Sequence, residues 1–377
     1  PSKTADGTAT VTSRPSLLSH AFAERSRHRR TRVTVWPLVL MAVTLGTGRL
    51  PAQGRDRVVV RQPDGRGQLA HVGEITEYDA LVLVIKARGR SAPWRIPVER
   101  IVSVKTVRTP PHQAALKHLK RGEITLAERS FQQALNQAPR AWVRRELLAG
   151  LVRCSLHSGD YRRAGSHFLN LSESTSKSRH FSLVPLDWRI RGTADAAVAS
   201  EARAWRGRAG DVAKLLAASH LLRDTTYSQE AETQLRRLRI STDPRVRKLA
   251  VAQCWRADIK NKKPTPRQLD TWTRHIHSLP MDLRGGPWYV IGLARFRRQQ
   301  LEPAASALMW TSLVFEDDRF LAAHATQVAA DALLNDNQTD AAETLYRDLR
   351  QRFAGTPAAR ESAIPQPNAP RTKRNSP

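Results

Sequence analysis

From Gln113 onward, apolar residues recur at three- and four-residue spacing in segments of roughly ten to sixteen residues, broken by short polar turns, which predicts amphipathic helices. Upstream the period changes. Runs rich in β-branched residues (VVV at 58–60, VGEITEYD at 72–79, LVLVI at 81–85, WRIPV at 94–98 and IVSVKTV at 101–107) alternate with the turn formers Pro63-Asp64-Gly65, Asp79-Ala80 and Arg88-Gly89-Arg90. Five short strands in about fifty residues predict a small curled barrel. The expected class is mainly α: a solenoid of helix pairs preceded by a small five-stranded β-barrel-like domain.

The helical part repeats. Gly122, Ala127, Phe131, Ala134 and Pro139 return thirty-seven residues later as Gly159-Asp160, Ala164, Phe168 and Leu171 at the same offsets. Glycine permits the tight interhelical turn, the alanines let two helix backbones approach, and the phenylalanine fills the space between them. Toward the other end Trp288, Ile291 and Gly292 open a helix. Ala304 and Leu308 follow on the next, and Ala330, Asn337, Ala342, Tyr346, Leu349 and Phe353 form a further unit closed by Gly355-Thr356-Pro357.

These positions resemble tetratricopeptide repeats, and DNQTDAAETLYRDLRQRFAGTPAA is similar to the long-repeat tetratricopeptide proteins of bacterial cell envelopes. The resemblance implies an α-solenoid whose units bury their apolar faces against their neighbours. Between the two repeat regions the pattern weakens. Gly210-Asp211 keeps the turn, but Ser219 stands where a large aromatic is expected, and Asp243-Pro244-Arg245-Val246-Arg247 instead resembles the opening of a HEAT-type helix. The strand segment looks somewhat like Sm-fold and SH3-like barrels. It carries Ile96-Pro97-Val98-Glu99-Arg100 where the Sm family has a short Arg-Gly element, so RNA binding does not carry over.

The N-terminal stretch reads as an address. Arg29-Arg30-Thr31-Arg32 opens onto VTVWPLVLMAVTLG, and Ala52 offers a small residue for cleavage, the three parts of a secretory signal. The apolar run is shorter than the ~20 residues that span a bilayer. The expected location is periplasmic or otherwise extracytoplasmic, with membrane association through residues 33–46 if the signal is kept as an anchor.

Charge adds little. The net charge of +28 comes from 50 arginines and 12 lysines spread over the whole chain, a bias that codon usage can produce, so nucleic acid is not the expected partner. Cys154 and Cys254, a hundred residues apart, exclude a disulfide framework. No phosphate loop, His-Glu-x-x-His, Gly-x-Ser-x-Gly or Cys-x-x-Cys occurs. His275 and His277 diverge at helical spacing two, and Glu316-Asp317-Asp318 reads as an interhelix turn. No enzymatic activity, cofactor or metal is expected.

The resemblance instead implies a protein-binding groove on the first helices of each pair: Glu146, Arg153 and His157, then Tyr289, Phe296 and Arg297, then His324, Gln327, Asp331 and Asn335. The expected function is an exported scaffold that binds protein partners. The alternative is an exported or tethered binder of an anionic polymer or lipid surface. The expected organisation is leader and signal 1–52, β domain 53–109, repeat pair 112–171, linker 172–186, helical region 187–263, helix and loop 264–284, repeat pair 285–357, and an unstructured tail 358–377.

Overall fold

The computed structural model of the chain describes residues 55–62, 66–87, 89, 91–175 and 177–362, which belong to one compact unit. The expected signal and the segment 33–46 lie outside these residues, as does 363–377. The architecture is mainly helical, with one small antiparallel sheet on the N-terminal side.

The five expected strands form as β1 (Asp56–Arg61), β2 (Gln68–Tyr78), β3 (Val82–Lys86), β4 (Trp94–Pro97) and β5 (Ile101–Lys105). Their order is β4-β3-β2-β1-β5, and the sheet is open, with β4 and β5 as its edges rather than closed into the expected barrel. Pro97 ends β4 after four residues, and a 3-10 turn over Val98–Arg100 carries the chain to the far edge. The sheet's apolar face is covered from outside. Val58, Val60, Ile75, Leu83, Ile85 and Ile96 pack with Trp142 of a helix, whose indole N–H donates to the Ile75 carbonyl at 2.8 Å. Buried Asp56 accepts from the Ile75 N–H at 2.9 Å and from Arg140 at 2.5 Å, so the sheet is fastened to the helices by charge as well as packing.

Among the described residues fourteen α-helices follow: α1 (Pro110–Lys120), α2 (Ile124–Gln137), α3 (Ala141–Ser158), α4 (Tyr161–Glu173), α5 (Ala196–Arg206), α6 (Asp211–Leu221), α7 (Ser228–Leu238), α8 (Pro244–Asn261), α9 (Pro266–Ser278), α10 (Gly285–Arg297), α11 (Leu301–Val314), α12 (Arg319–Asn335), α13 (Thr339–Arg352) and α14 (Pro357–Glu361). The sequence repeat is visible in their turns and cores. Gly122 and Gly159 take left-handed backbone, φ 73° and 74°, at the α1–α2 and α3–α4 turns, and Asn337 does the same at α12–α13. Ala127, Phe131, Ala134, Ala164, Phe168, Leu171, Ala342, Tyr346 and Leu349 are all buried. Asp243 caps α8 by accepting from the Arg245 N–H, with Pro244 at the first helical position.

Two boundaries differ from expectation. The helical region after the linker starts at Ala196, because residues 184–195 run without regular structure. Residues 358–361, expected to open an unstructured tail, instead belong to α14, which buries Ala358 and is capped by Thr356.

The helices also do not form an open row. α4, α6, α8, α10 and α12 touch in succession, and α12 returns to α3. Tyr161 donates to Asp318 at 2.8 Å, Arg153 pairs with Asp317 at 3.4 Å, and the Phe320 ring lies where a Cβ on Gly159 would stand. The α3–α4 pair and the start of α12 therefore close a ring.

Candidate functional site

The ring encloses the chain segment that joins α4 to α5. After a 3-10 turn at Phe181–Leu183, residues 185–188 are buried although they belong to no helix or strand. Backbone polar groups in such a place need partners from elsewhere. Side chains on the surrounding helices supply them. Ser219 of α6 accepts from the Asp187 N–H at 2.9 Å and donates to its carbonyl at 3.1 Å. His220 donates to the Pro185 carbonyl at 2.8 Å, and Gln253 of α8 donates to the Asp187 carbonyl at 3.2 Å. Arg256 donates to the Arg189 carbonyl, and Arg223 to those of Arg191 and Thr193. Trp188 lies so close to α10 that a Cβ on Gly286 would stand 1.9 Å from its ring, which is why that helix opens on glycine.

Asp187 is the electrostatic centre of this hub. Its buried carboxylate meets Arg223 at 2.7 Å, Arg189 at 2.9 Å and Arg256 at 3.8 Å. Burial would raise its pKa, but the guanidiniums of Arg256, Arg189 and Arg223 outweigh burial and hold the carboxyl far below the usual range. Burial lowers Arg256 to about 10 against the pull of Asp187, and lowers His220 to about 4, leaving its imidazole neutral. Arg189 also lies over the Tyr161 ring at 5.6 Å, linking the hub to the contact that closes the ring. There burial pushes Asp318 up to about 6, even though it accepts from the Leu321 N–H and the Tyr161 hydroxyl.

The hub opens to solvent through a cleft of about 220 Å³, lined on one side by Arg189 and Ile190 and on the other by Arg223, Gln229, Arg256 and Lys260. A second hollow of about 240 Å³ shares Ile190, Arg223 and Lys260 with it and adds Arg191, Gly192 and Arg297.

The residues expected to line a groove are dispersed by this arrangement. Tyr289 is buried and its hydroxyl lies 2.9 Å from Nδ1 of His324, so these two meet. Arg153 and His157 face the start of α12, where Asp317 pairs with Arg153 and burial, then Arg319, lowers the pKa of His157. Glu146 is half-buried and paired with Arg179. Arg297 donates to the Ile259 carbonyl, and Phe296 packs against the main core. Asp331 accepts from Tyr346 across the α12–α13 pair and, through its carbonyl, from Asn335. Gln327 is half-buried.

Sequence reasoning missed Asp187, Arg223, Arg256 and Gln253. One signal for them was present. Ser219, out of place for a helix-pair aromatic, is the residue that bonds the buried segment. His275 and His277 have separate surroundings, the Lys248 carbonyl at 3.0 Å and the Trp288 ring at 5.8 Å. Among the described residues no group of three or more His, Cys, Asp or Glu is placed to hold a metal ion, and no helix is long and apolar enough to cross a membrane. Cys154 and Cys254 are both free thiols, pushed up to about 12 and about 11 chiefly by burial.

No protein-family model, curated protein or solved structure matches the chain.

Proposed function

We propose that the protein is an exported, non-catalytic scaffold that captures a partner protein on the outer side of its C-terminal helices. The observation that carries this is the exposed face of α11. Apart from Glu302, Ser306, Thr311 and Ser312 the helix is apolar, with large apolar residues on its outward face as well as its packed one. One face packs on α10 and α12 through Ala304, Ala307, Leu308 and Thr311. The other leaves Trp310, Leu313 and Val314 at 47%, 54% and 48% exposure, at helical spacing. Trp310 stacks on Trp288 of α10 at 6.3 Å, and Met281, in the turn before α10, is 60% exposed.

Contiguous exposed apolar side chains rimmed by polar ones mark interaction sites, and tryptophan is among the residues that dominate binding energy. The partner chemistry that fits is an apolar stripe, such as one face of an amphipathic helix. The helix pairs are read as tetratricopeptide-type units bent until their ends meet, and the sheet as an Sm-like module whose closure is replaced by Trp142. The supports are the buried repeat positions and the strand order. Export rests on the signal pattern at 29–52. A second reading, anion binding, is supported by the cleft beside Lys260 and is narrower than a whole-surface affinity.

Placing a photo-crosslinking amino acid at 310 or 313, and at the still more exposed Ile240 just after α7, tests the scaffold reading. Adducts of one defined size from 310 and 313 and none from 240 support it. Adducts from all three sites, or from none, would refute it.

A further inference from the structure

The cleft at the hub is charged more heavily than the protein compensates. Arg189, Arg223 and Arg256 share the single carboxylate of Asp187, an excess of cations at a place where two of the three guanidiniums are withdrawn from water. Uncompensated charge in such a site is costly. Around the mouth stand further cations. Among the described residues, the side chains of Lys260 and Arg191 have no ion pair or hydrogen bond, and the side chain of Arg297 is bonded only to the Ile259 carbonyl. Glu232, the one carboxylate lining the cleft, is bound to Arg236 on its own helix. These six cations come from four parts of the chain: the segment after Asp187, the residues just past α6, the end of α8 and the end of α10. Four of them, Arg191, Arg223, Lys260 and Arg297, converge on the second hollow, unlike the arginines scattered elsewhere over the surface, many of which meet a carboxylate.

The helix ends here do not oppose an anion. The carbonyl ends of α8 and of the 189–193 segment are already occupied by Arg297, Arg256 and Arg223. Gln229 and Ser228, at the start of α7, bring the positive end of a helix to the adjoining cleft, which shares Arg223 and Lys260 with the second hollow.

We infer that the second hollow is a binding site for a soluble phosphate monoester, with Arg191, Lys260 and Arg297 meeting the phosphoryl oxygens and Arg223 fixing the floor through Asp187. Planar guanidiniums match phosphoryl oxygens in pairs, and a lysine at the rim adds a mobile point charge. A hollow of about 240 Å³ admits a phosphoryl group with a small organic substituent and excludes a long polymer from its floor.

The test is titration calorimetry of the full chain with inorganic phosphate at low salt, repeated for Arg191→Gln/Lys260→Gln. The wild type is expected to bind with a Kd of about 1 mM or tighter, and the double variant at least about tenfold more weakly, with phosphate raising the melting temperature of the wild type alone. Both residues are exposed, so the variant should melt as the wild type does without phosphate. If it melts early, Lys260→Gln alone is used in its place. A parallel arm measures co-sedimentation with phosphatidylcholine vesicles with and without phosphatidate. Absence of phosphate binding to the wild type, equal binding to the variant, or binding confined to phosphatidate vesicles would overturn the inference.

Discussion

The carboxylate of Asp187 and the guanidinium of Arg223 meet at 2.7 Å across thirty-six residues of chain, both with almost no exposed side-chain surface. The pair ties a segment without secondary structure to α6, and with Arg256 it ties the same segment to α8. Removing one partner of a buried pair leaves the other charge uncompensated, which costs about 3–5 kcal/mol. Asp187→Asn preserves shape and leaves three arginines facing a neutral amide. Denaturant unfolding should show a loss of that order, whereas Asp195→Asn, at the exposed cap of α5, should lose less than about 1 kcal/mol.

The same segment depends on Ser219 and Gly286. Ser219→Ala removes the acceptor of the Asp187 N–H and one donor to its carbonyl, leaving the N–H buried without a partner at a cost of about 1–3 kcal/mol. Gly286→Ala drives a methyl into Trp188, and overpacking of this kind costs about 1–3 kcal/mol. Combining it with Trp188→Leu should recover part of the loss, a coupling that a double-mutant cycle reads directly. Additive losses would place Trp188 elsewhere.

Asp318 sets a pH dependence of definite sign. Burial raises its pKa to about 6 from an ordinary 3.8, so the folded state holds the proton more tightly than the unfolded chain. Its contribution to stability is complete below pH 3.8 and is lost as pH rises through 6. His220 acts oppositely: with a folded value of about 4 against 6.5, its contribution is present above 6.5 and lost as pH falls toward 4. Asp318→Asn keeps the helix cap and an acceptor for Tyr161 but removes the titration. Its melting temperature relative to wild type should therefore climb between pH 4 and pH 7. A difference that stays flat over that range would show that Asp318 is not held protonated by the fold.

What the sequence made legible was whatever depends on neighbours in the chain. The β-branched runs gave five strands, Gly122, Gly159 and Asn337 marked left-handed turns, and Ala127, Phe131, Ala164 and Phe168 marked buried helix-pair contacts. Closure of the ring was not legible, because Tyr161 and Asp318 are 157 residues apart and each reads locally as a turn or a cap. The hub was hidden for a related reason. Asp187 followed by Arg189 and Arg191 looks like a solvated linker, and only the helices around it, through Ser219, Gln253 and Arg256, make burial tolerable. The barrel expectation failed at its closing edge, since Trp142 lies in another element and no strand pattern announces it.

The placement of the functional face on the outside of the ring is tested most directly by comparing two variants for partner crosslinking. Both carry the photo-crosslinker at position 313. One also carries Trp310→Ser, on the outer face of α11, and the other carries Gln327→Ala, on the helix expected to line a groove. The account predicts that Trp310→Ser weakens the adduct by about tenfold or more while Gln327→Ala leaves it unchanged. Loss of the adduct in Gln327→Ala with full crosslinking in Trp310→Ser would contradict it.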